Sequence, residues 1–184
     1  MLTIDDFGHV RDERLRRLVA YWLDRRRGRT MPARRDIDPV DIPWVLPFIW
    51  LNDVVPPATA AADGLRFRCR LAGEAINAVH RRSVRGLMLE DYVPADDLPV
   101  VTEQYSAVAQ TPLVLHSTGR VYHRTRQYLV GERIVLPLSA DGGGTVAVLL
   151  GATIYTTAEI GTVQPDAEPS DDFVETRTPI ENLR

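Results

Sequence analysis

The sequence has only one cysteine, Cys69, in 184 residues. A single thiol excludes an intramolecular disulfide, and it excludes a zinc site built from thiolates. Cys69 lies within LRFRCRL (65–71), where apolar and basic residues alternate. That setting is typical of a small buried residue and not of a reactive thiol.

Long apolar runs are missing as well. No window approaches the roughly 18 consecutive apolar residues of a membrane-spanning helix. The N-terminal stretch MLTIDDFGHVRDERLRRL lacks the basic-then-apolar order of a secretory signal. Apolar residues nevertheless make up 45% of the chain, which is enough to bury a core. We therefore expect a cytoplasmic protein with no membrane contact.

Lysine is absent, so all 22 basic residues are arginines, and the net charge is −3. Residues 1–35 hold ten arginines and five acids, whereas residues 159–184 hold seven acids and two arginines. The composition predicts an Arg-rich N-terminal helix and linker (1–35), a main domain (36–158), and an acidic, disordered tail (159–184). A nucleic-acid-linked regulator that contacts phosphates through the basic segment stays as an alternative function, although the interspersed acids and the net negative charge disfavour a nucleic-acid partner.

The strongest periodic signal predicts an amphipathic helix over residues 13–27. Asp12 can cap its start, and Gly28 suits the left-handed residue beyond its end. Its apolar stripe consists of Leu15, Leu18, Val19, Trp22 and Leu23. The pattern leaves two options open, since the stripe can pack on a sheet of the same chain or on a second copy in a homodimer.

Further elements alternate between strands and helices. Strands are predicted at 48–55, 65–71, 112–117, 126–138 and 145–155, and helices at 74–81 and 95–110. The glycines at 142–144 suit a hairpin loop. Hairpins at both ends with helices between them exclude a parallel βαβ sheet. The prediction is an α+β fold, namely a five-stranded antiparallel sheet with helices on one face and the amphipathic helix at the N-terminus.

That order resembles a PAS-like domain, in which two strands, a helical stretch and three strands follow one another. The resemblance extends to YWLDRRRGRTMPARRDIDPVDIPWVLPFIWLNDV (21–54), FRCRLAGEAI (67–76), GLMLEDYV (86–93) and ERIVLPLSADGG (132–143). These stretches are similar to a bacterial branch of the PAS-like family, and the similarity covers about residues 15–155. The resemblance implies a sensory or signalling module that binds a small ligand, a protein partner, or both. It implies no catalytic residues.

A PAS-like sheet is expected to enclose a small apolar cavity with a few polar groups. Six side chains are predicted to face this cavity and are the candidate lining residues, namely Trp50, Cys69, Tyr92, Tyr105, His116 and Leu136. Haem and flavin are disfavoured, because the helix at 95–110 has no histidine and the only cysteine lies on a strand. No kinase or helix-turn-helix pattern occurs, so the signal is expected to pass by association with a partner.

The residues do not form a recognisable catalytic or metal-binding motif. The four histidines, His9, His80, His116 and His123, lack the spacing of a metal site. The glycines at 142–144 precede no helix, which excludes a phosphate-binding loop. We therefore expect no enzyme activity. A small-molecule enzyme on an α+β cavity scaffold stays as an alternative, and a His–Asp pair in hydrogen-bond contact inside an ordered cavity would favour it.

Overall fold

The computed structural model describes residues 2–57, 64–124, 127–156 and 173–180. Its helices and strands are α1 (Glu13–Arg26), β1 (Ile49–Val55), β2 (Arg66–Ala72), α2 (Glu74–His80), α3 (Leu98–Gln110), β3 (Leu113–Arg124), β4 (Gln127–Ser139), β5 (Val146–Thr156) and β6 (Val174–Pro179). The strands form one sheet in the order β2-β1-β5-β4-β3-β6, and each neighbouring pair is antiparallel. The predicted α+β class and antiparallel sheet are confirmed.

The sheet has six strands, not the five that the sequence predicts. The additional strand, β6, falls within the segment predicted to be a disordered tail, of which residues 157–172 and 181–184 lie outside the described ranges. β6 pairs with β3 from Leu113↔Pro179 to Thr118↔Val174. Arg177 on β6 binds both carboxylate oxygens of Glu103 on α3, and Ile180 is buried. Backbone pairing and this ion pair stabilise a strand that has few apolar residues.

Helix α1 forms where the sequence predicts it. The Asp12 carboxylate accepts hydrogen bonds from the backbone N–H groups of Arg14 and Leu15, which caps the helix start. Arg27 adopts the left-handed conformation at the C-terminal end, and Gly28 follows with φ +80°. The indole Nε1 of Trp22 donates to the carbonyl oxygen of Pro137 on β4 at 3.0 Å. The apolar stripe of α1 therefore packs on the sheet of its own chain.

The helices cover both faces of the sheet. Tyr105 on α3 stacks on Trp50 of β1, so α3 lies on the face that Trp50 occupies, which we call the α3 face. Helix α1 covers the opposite face, which we call the α1 face and which carries Leu51, Glu132 and Leu136. The predicted arrangement, with helices on one face of the sheet and the N-terminal amphipathic helix separate from them, is confirmed. Within the described ranges, no helix is long and apolar enough to cross a membrane.

Candidate functional site

An aromatic cluster fills the centre of the α3 face. The rings of Trp50 and Tyr105 are stacked with their centroids 5.0 Å apart, and Phe67 meets Tyr105 edge-on at 5.4 Å. Gly151 lies directly opposite Trp50 on β5, and a Cβ at that position would lie 2.0 Å from the indole. Glycine therefore lets the indole lie flat against the sheet, where it forms an apolar floor below α3.

Polar groups adjoin this aromatic cluster. Asn52 is only 1% exposed although it lies on a strand two residues from Trp50. The hydroxyl of Tyr92 donates to Asn52 Oδ1 at 3.4 Å, and the ring of Tyr92 meets His80 edge-on at 5.1 Å. Apolar walls beside a few buried polar groups are the usual composition of a small-ligand site.

Cys69 lies opposite Asn52 in the β1–β2 register and is buried. Its thiol donates weakly to the carbonyl oxygen of Leu71 at 3.5 Å. Burial raises the pKa of Cys69 to about 11. The hydrogen bond with the backbone of Leu71 opposes this shift only in part. The thiol is therefore neutral near pH 7, which agrees with the sequence-based view of an unreactive residue.

The structure separates the six residues that the sequence groups into one cavity. Trp50, Cys69, Tyr92 and Tyr105 lie on the α3 face, whereas His116 and Leu136 belong to the α1 face. The reason is strand alternation, since His116 pairs with Ile134 and Leu136 is two residues further along the same strand. A single cavity cannot be lined by all six side chains. The prediction that His116 and Leu136 line the same cavity as the other four residues is therefore wrong, and these two residues do not belong to the candidate site.

The apolar stripe of α1, which the sequence also offers as a dimer contact, is buried within the chain. Leu15, Leu18, Val19 and Trp22 have no exposed surface, because they pack against the α1 face. Of the two options that the sequence leaves open, the structure shows the packing within the chain. These four side chains are not available to a second copy in this conformation.

A buried histidine–carboxylate hydrogen bond that the sequence does not predict lies on the α1 face. His116 Nε2 is 2.6 Å from Glu132 Oε1, with side-chain exposures of 4% and 11%. The same carboxylate accepts hydrogen bonds from the backbone N–H groups of Arg11 and Asp12 at 2.8 and 2.7 Å. This pair does not lie in the candidate site, so it does not favour the enzyme alternative. It ties the start of α1 to β4.

His9 extends this cluster, since its ring meets the ring of His116 edge-on at 4.9 Å. Burial lowers the pKa of His9, positive charge on His116 lowers it further, and Glu132 opposes the shift. The unfolded chain, with a histidine pKa of about 6.5, then binds more protons than the folded chain. The free energy of unfolding should therefore fall as the pH is lowered from about 7 to about 5.

Urea denaturation at several pH values in this range measures that slope. The variant His9→Asn should show a shallower slope than the wild-type chain, because it lacks the group whose pKa differs between the two states. The variant His80→Asn is the matched control, and its slope should exceed that of His9→Asn. An unchanged slope in His9→Asn would contradict the assignment.

The N-terminal arginines make contacts within the chain. Arg14 pairs with Asp12, Arg25 with Asp41, and Arg29 with Asp36. The guanidinium of Arg17 lies over the ring of Trp44 at 3.8 Å, and that of Arg26 lies over Trp22 at 5.5 Å. These arginines hold α1 and its connector to β1 in place.

Among the described residues, no three histidine, cysteine or acidic side chains are grouped so that they could hold a metal ion. A family model described as "PAS domain" matches residues 10–154. The matched range runs from just before α1 into β5 and includes Trp50, Asn52, Tyr92 and Tyr105, but it excludes β6. No curated protein and no solved structure matches the chain.

Proposed function

The chain belongs to the PAS domain family, whose members are typically sensory rather than catalytic, and we propose that it senses a small, mostly apolar ligand on the α3 face. The observation that carries this proposal is the pairing of Asn52 with Tyr92 beside the Trp50–Tyr105 stack. A fully buried amide on a central strand has a high desolvation cost, which a specific hydrogen-bonding role offsets.

The aromatic stack defines the kind of ligand. Stacked and edge-on rings favour a flat molecule, since such a molecule can insert between Tyr105 and Trp50 or replace one of these contacts. With the Tyr92 hydroxyl donated to Asn52 Oδ1, the side-chain NH2 of Asn52 can donate to one polar group of that ligand, and the hydroxyl oxygen of Tyr92 can accept from it. A neutral aromatic compound with a single polar substituent fits both requirements.

Haem and covalently bound flavin do not belong to this proposal. The neutral thiol of Cys69 on a strand is a poor nucleophile for a flavin adduct. Helix α3, which covers the site, has no histidine to ligate haem iron. We propose instead a ligand that is held without a covalent or metal bond.

We further propose that the ligand alters association with a protein partner or a second copy. A ligand shifts an equilibrium between two conformations only if it binds them with different affinity. Helix α3 supplies Tyr105 to the site and carries Val100, which is 55% exposed, on its outer surface. Movement of α3 on ligand binding would therefore change a surface that a partner can contact.

The test uses the intact chain and three measurements. Native mass spectrometry of the freshly purified protein should show a retained small molecule. Tryptophan emission should then change when phenol or benzyl alcohol is added to the chain after extraction of that molecule, because these neutral aromatic probes do not emit under excitation selective for tryptophan. Light scattering with and without the probe measures whether the association state changes.

Variants of two tryptophans locate the signal. The emission change should disappear in Trp50→Phe and persist in Trp22→Phe, because Trp22 lies on the opposite face of the sheet. Absence of both a retained mass and any probe-dependent emission change would overturn ligand sensing on this face. Loss of the signal in Trp22→Phe alone would also overturn it, since the ligand would then lie on the α1 face.

A further inference from the structure

A groove of about 460 Å³ lies at the β2 edge of the sheet, where β1 and β2 adjoin α2 and the segments before β1 and after α2. Its floor includes Leu51 and Leu71, which are register partners on β1 and β2 and share the α1 face. Arginines from three separate parts of the chain surround it, namely Arg34, Arg70 and Arg85. None of the described residues that line the groove is acidic.

The guanidinium of Arg34 has a buried N–H donor without an acceptor among the described residues. Arg34 lies in the connector between α1 and β1, and its Nη1 donates to the carbonyl oxygen of Ile37 at 3.1 Å. Its Nε is buried and has no hydrogen-bond partner within the described ranges. A guanidinium has five N–H donors, and a buried donor without an acceptor is costly. An acceptor that enters the groove would stabilise this side chain.

The other two arginines differ in how far they are neutralised. Arg70 Nε lies 2.7 Å from Asp53 Oδ1, so its charge is largely balanced. Arg85 is exposed on the segment after α2, and no carboxylate of the described residues pairs with it. Arg34 likewise forms no ion pair with a described carboxylate. The groove therefore carries an excess of two positive charges above an apolar floor.

From this arrangement we infer that the groove binds a small doubly charged oxyanion with a short apolar portion, as in a phosphate monoester or a dicarboxylate. Guanidinium groups bind such oxyanions with paired, charge-assisted hydrogen bonds. Leu51 and Leu71 would contact the apolar portion of the ligand. The volume lies within the range of small-molecule sites. None of the residues that line this groove belongs to the Trp50–Tyr105 site proposed above, so the two proposals can fail independently.

Isothermal titration of the full chain with phenyl phosphate, inorganic phosphate and succinate tests the inference. Phenyl phosphate or succinate should bind with a dissociation constant near or below about 1 mM. Phenyl phosphate should bind more tightly than inorganic phosphate, because its ring covers the apolar floor. Added salt should weaken binding. A preference for phenyl phosphate over succinate would identify a phosphate ester, and the reverse preference a dicarboxylate.

Matched variants decide whether the groove is responsible. Arg85→Gln and Arg34→Gln should each weaken binding by about tenfold or more. Arg68→Gln removes an exposed arginine from the same strand as Arg70 but outside the groove, and it should have an effect of about twofold at most. An equal loss in Arg68→Gln would overturn the inference, because it would indicate diffuse attraction to the surface. Failure of all three anions to bind the folded chain saturably would also overturn it. Circular dichroism confirms the folding of each variant.

Discussion

Replacement of Trp22 by alanine is expected to lower the free energy of unfolding by about 3–5 kcal/mol. Trp22 is completely buried between α1 and the sheet, and its indole donates to the carbonyl oxygen of Pro137. The substitution leaves a cavity, removes the donor of a buried carbonyl, and removes the ring under the buried guanidinium of Arg26. Whole domains are stable by about 5–15 kcal/mol, so this change should bring the chain close to unfolding. Urea denaturation followed by circular dichroism measures the effect.

Two further variants separate the contributions. Trp22→Phe keeps an aromatic ring but loses the hydrogen bond to Pro137, and it should cost less than the alanine variant. Arg16→Ala removes a partly exposed side chain from the same helix, and it should change stability by no more than about 0.5 kcal/mol. Equal stability of Trp22→Ala and Arg16→Ala would mean that α1 does not pack on the sheet. The stripe would then be free for a second copy, and light scattering would show a dimer.

Helix α1 illustrates how much a local pattern can predict. Its apolar spacing, the cap at Asp12 and the turn at Gly28 all act within a few residues, so both ends of the helix are predicted to within a residue. The surface that the stripe contacts depends on residues more than a hundred positions away, such as Pro137. Periodicity shows that a face is buried, but it does not show against what.

The candidate site shows the same limit for strands. Alternation predicts that Phe67 and Cys69 share a face, and they do. Whether Cys69 and His116 share a face depends on the register of strands that lie between β2 and β3 in the sheet. A shift by one residue moves every side chain of a strand to the other face. Single-strand patterns therefore predicted four residues of the α3 face but misplaced His116 and Leu136.

Strand β6 was not predicted, for a different reason. Its sequence, VETRTP, has almost no apolar side chains and reads as part of an acidic tail. Its pairing with β3 and the ion pair between Arg177 and Glu103 are long-range contacts. Glu132 was missed in the same way, because an acid in the strand ERIVLPL looks solvent-exposed until its partners at Arg11, Asp12 and His116 are known.

Strand β4 connects the two faces of the molecule. Glu132 on this strand binds the start of α1, whereas its neighbour Arg133 points to the α3 face and donates to Thr153, which also accepts from Trp50 Nε1. Trp50 and helix α1 are therefore connected by contacts through two adjacent residues of one strand. This is a contiguous route of packed and hydrogen-bonded groups, and its importance depends on how firmly Glu132 holds α1.

Replacement of Glu132 by alanine is expected to destabilise the fold by about 3–5 kcal/mol, the usual cost of removing one partner of a buried ion pair. The backbone N–H groups of Arg11 and Asp12 and the imidazole of His116 would all lose their acceptor. Glu132→Gln keeps one acceptor oxygen but turns an amide toward a donor, so it should cost about 1–3 kcal/mol. Urea denaturation gives both values, and hydrogen exchange of the Arg11 and Asp12 amides should accelerate relative to the rest of α1.

The matched control is Asp96→Asn, which removes an exposed negative charge and should change stability by no more than about 0.5 kcal/mol. A double-mutant cycle between Glu132→Gln and His116→Phe should give a coupling energy of about 0.5–3 kcal/mol, since the two side chains are in direct contact. If Glu132→Ala is as stable as Asp96→Asn, or if exchange at Arg11 and Asp12 is unchanged, the carboxylate does not hold α1. The route from Trp50 to the N-terminal helix would then be broken at β4, and signalling would have to leave the domain through α3 instead.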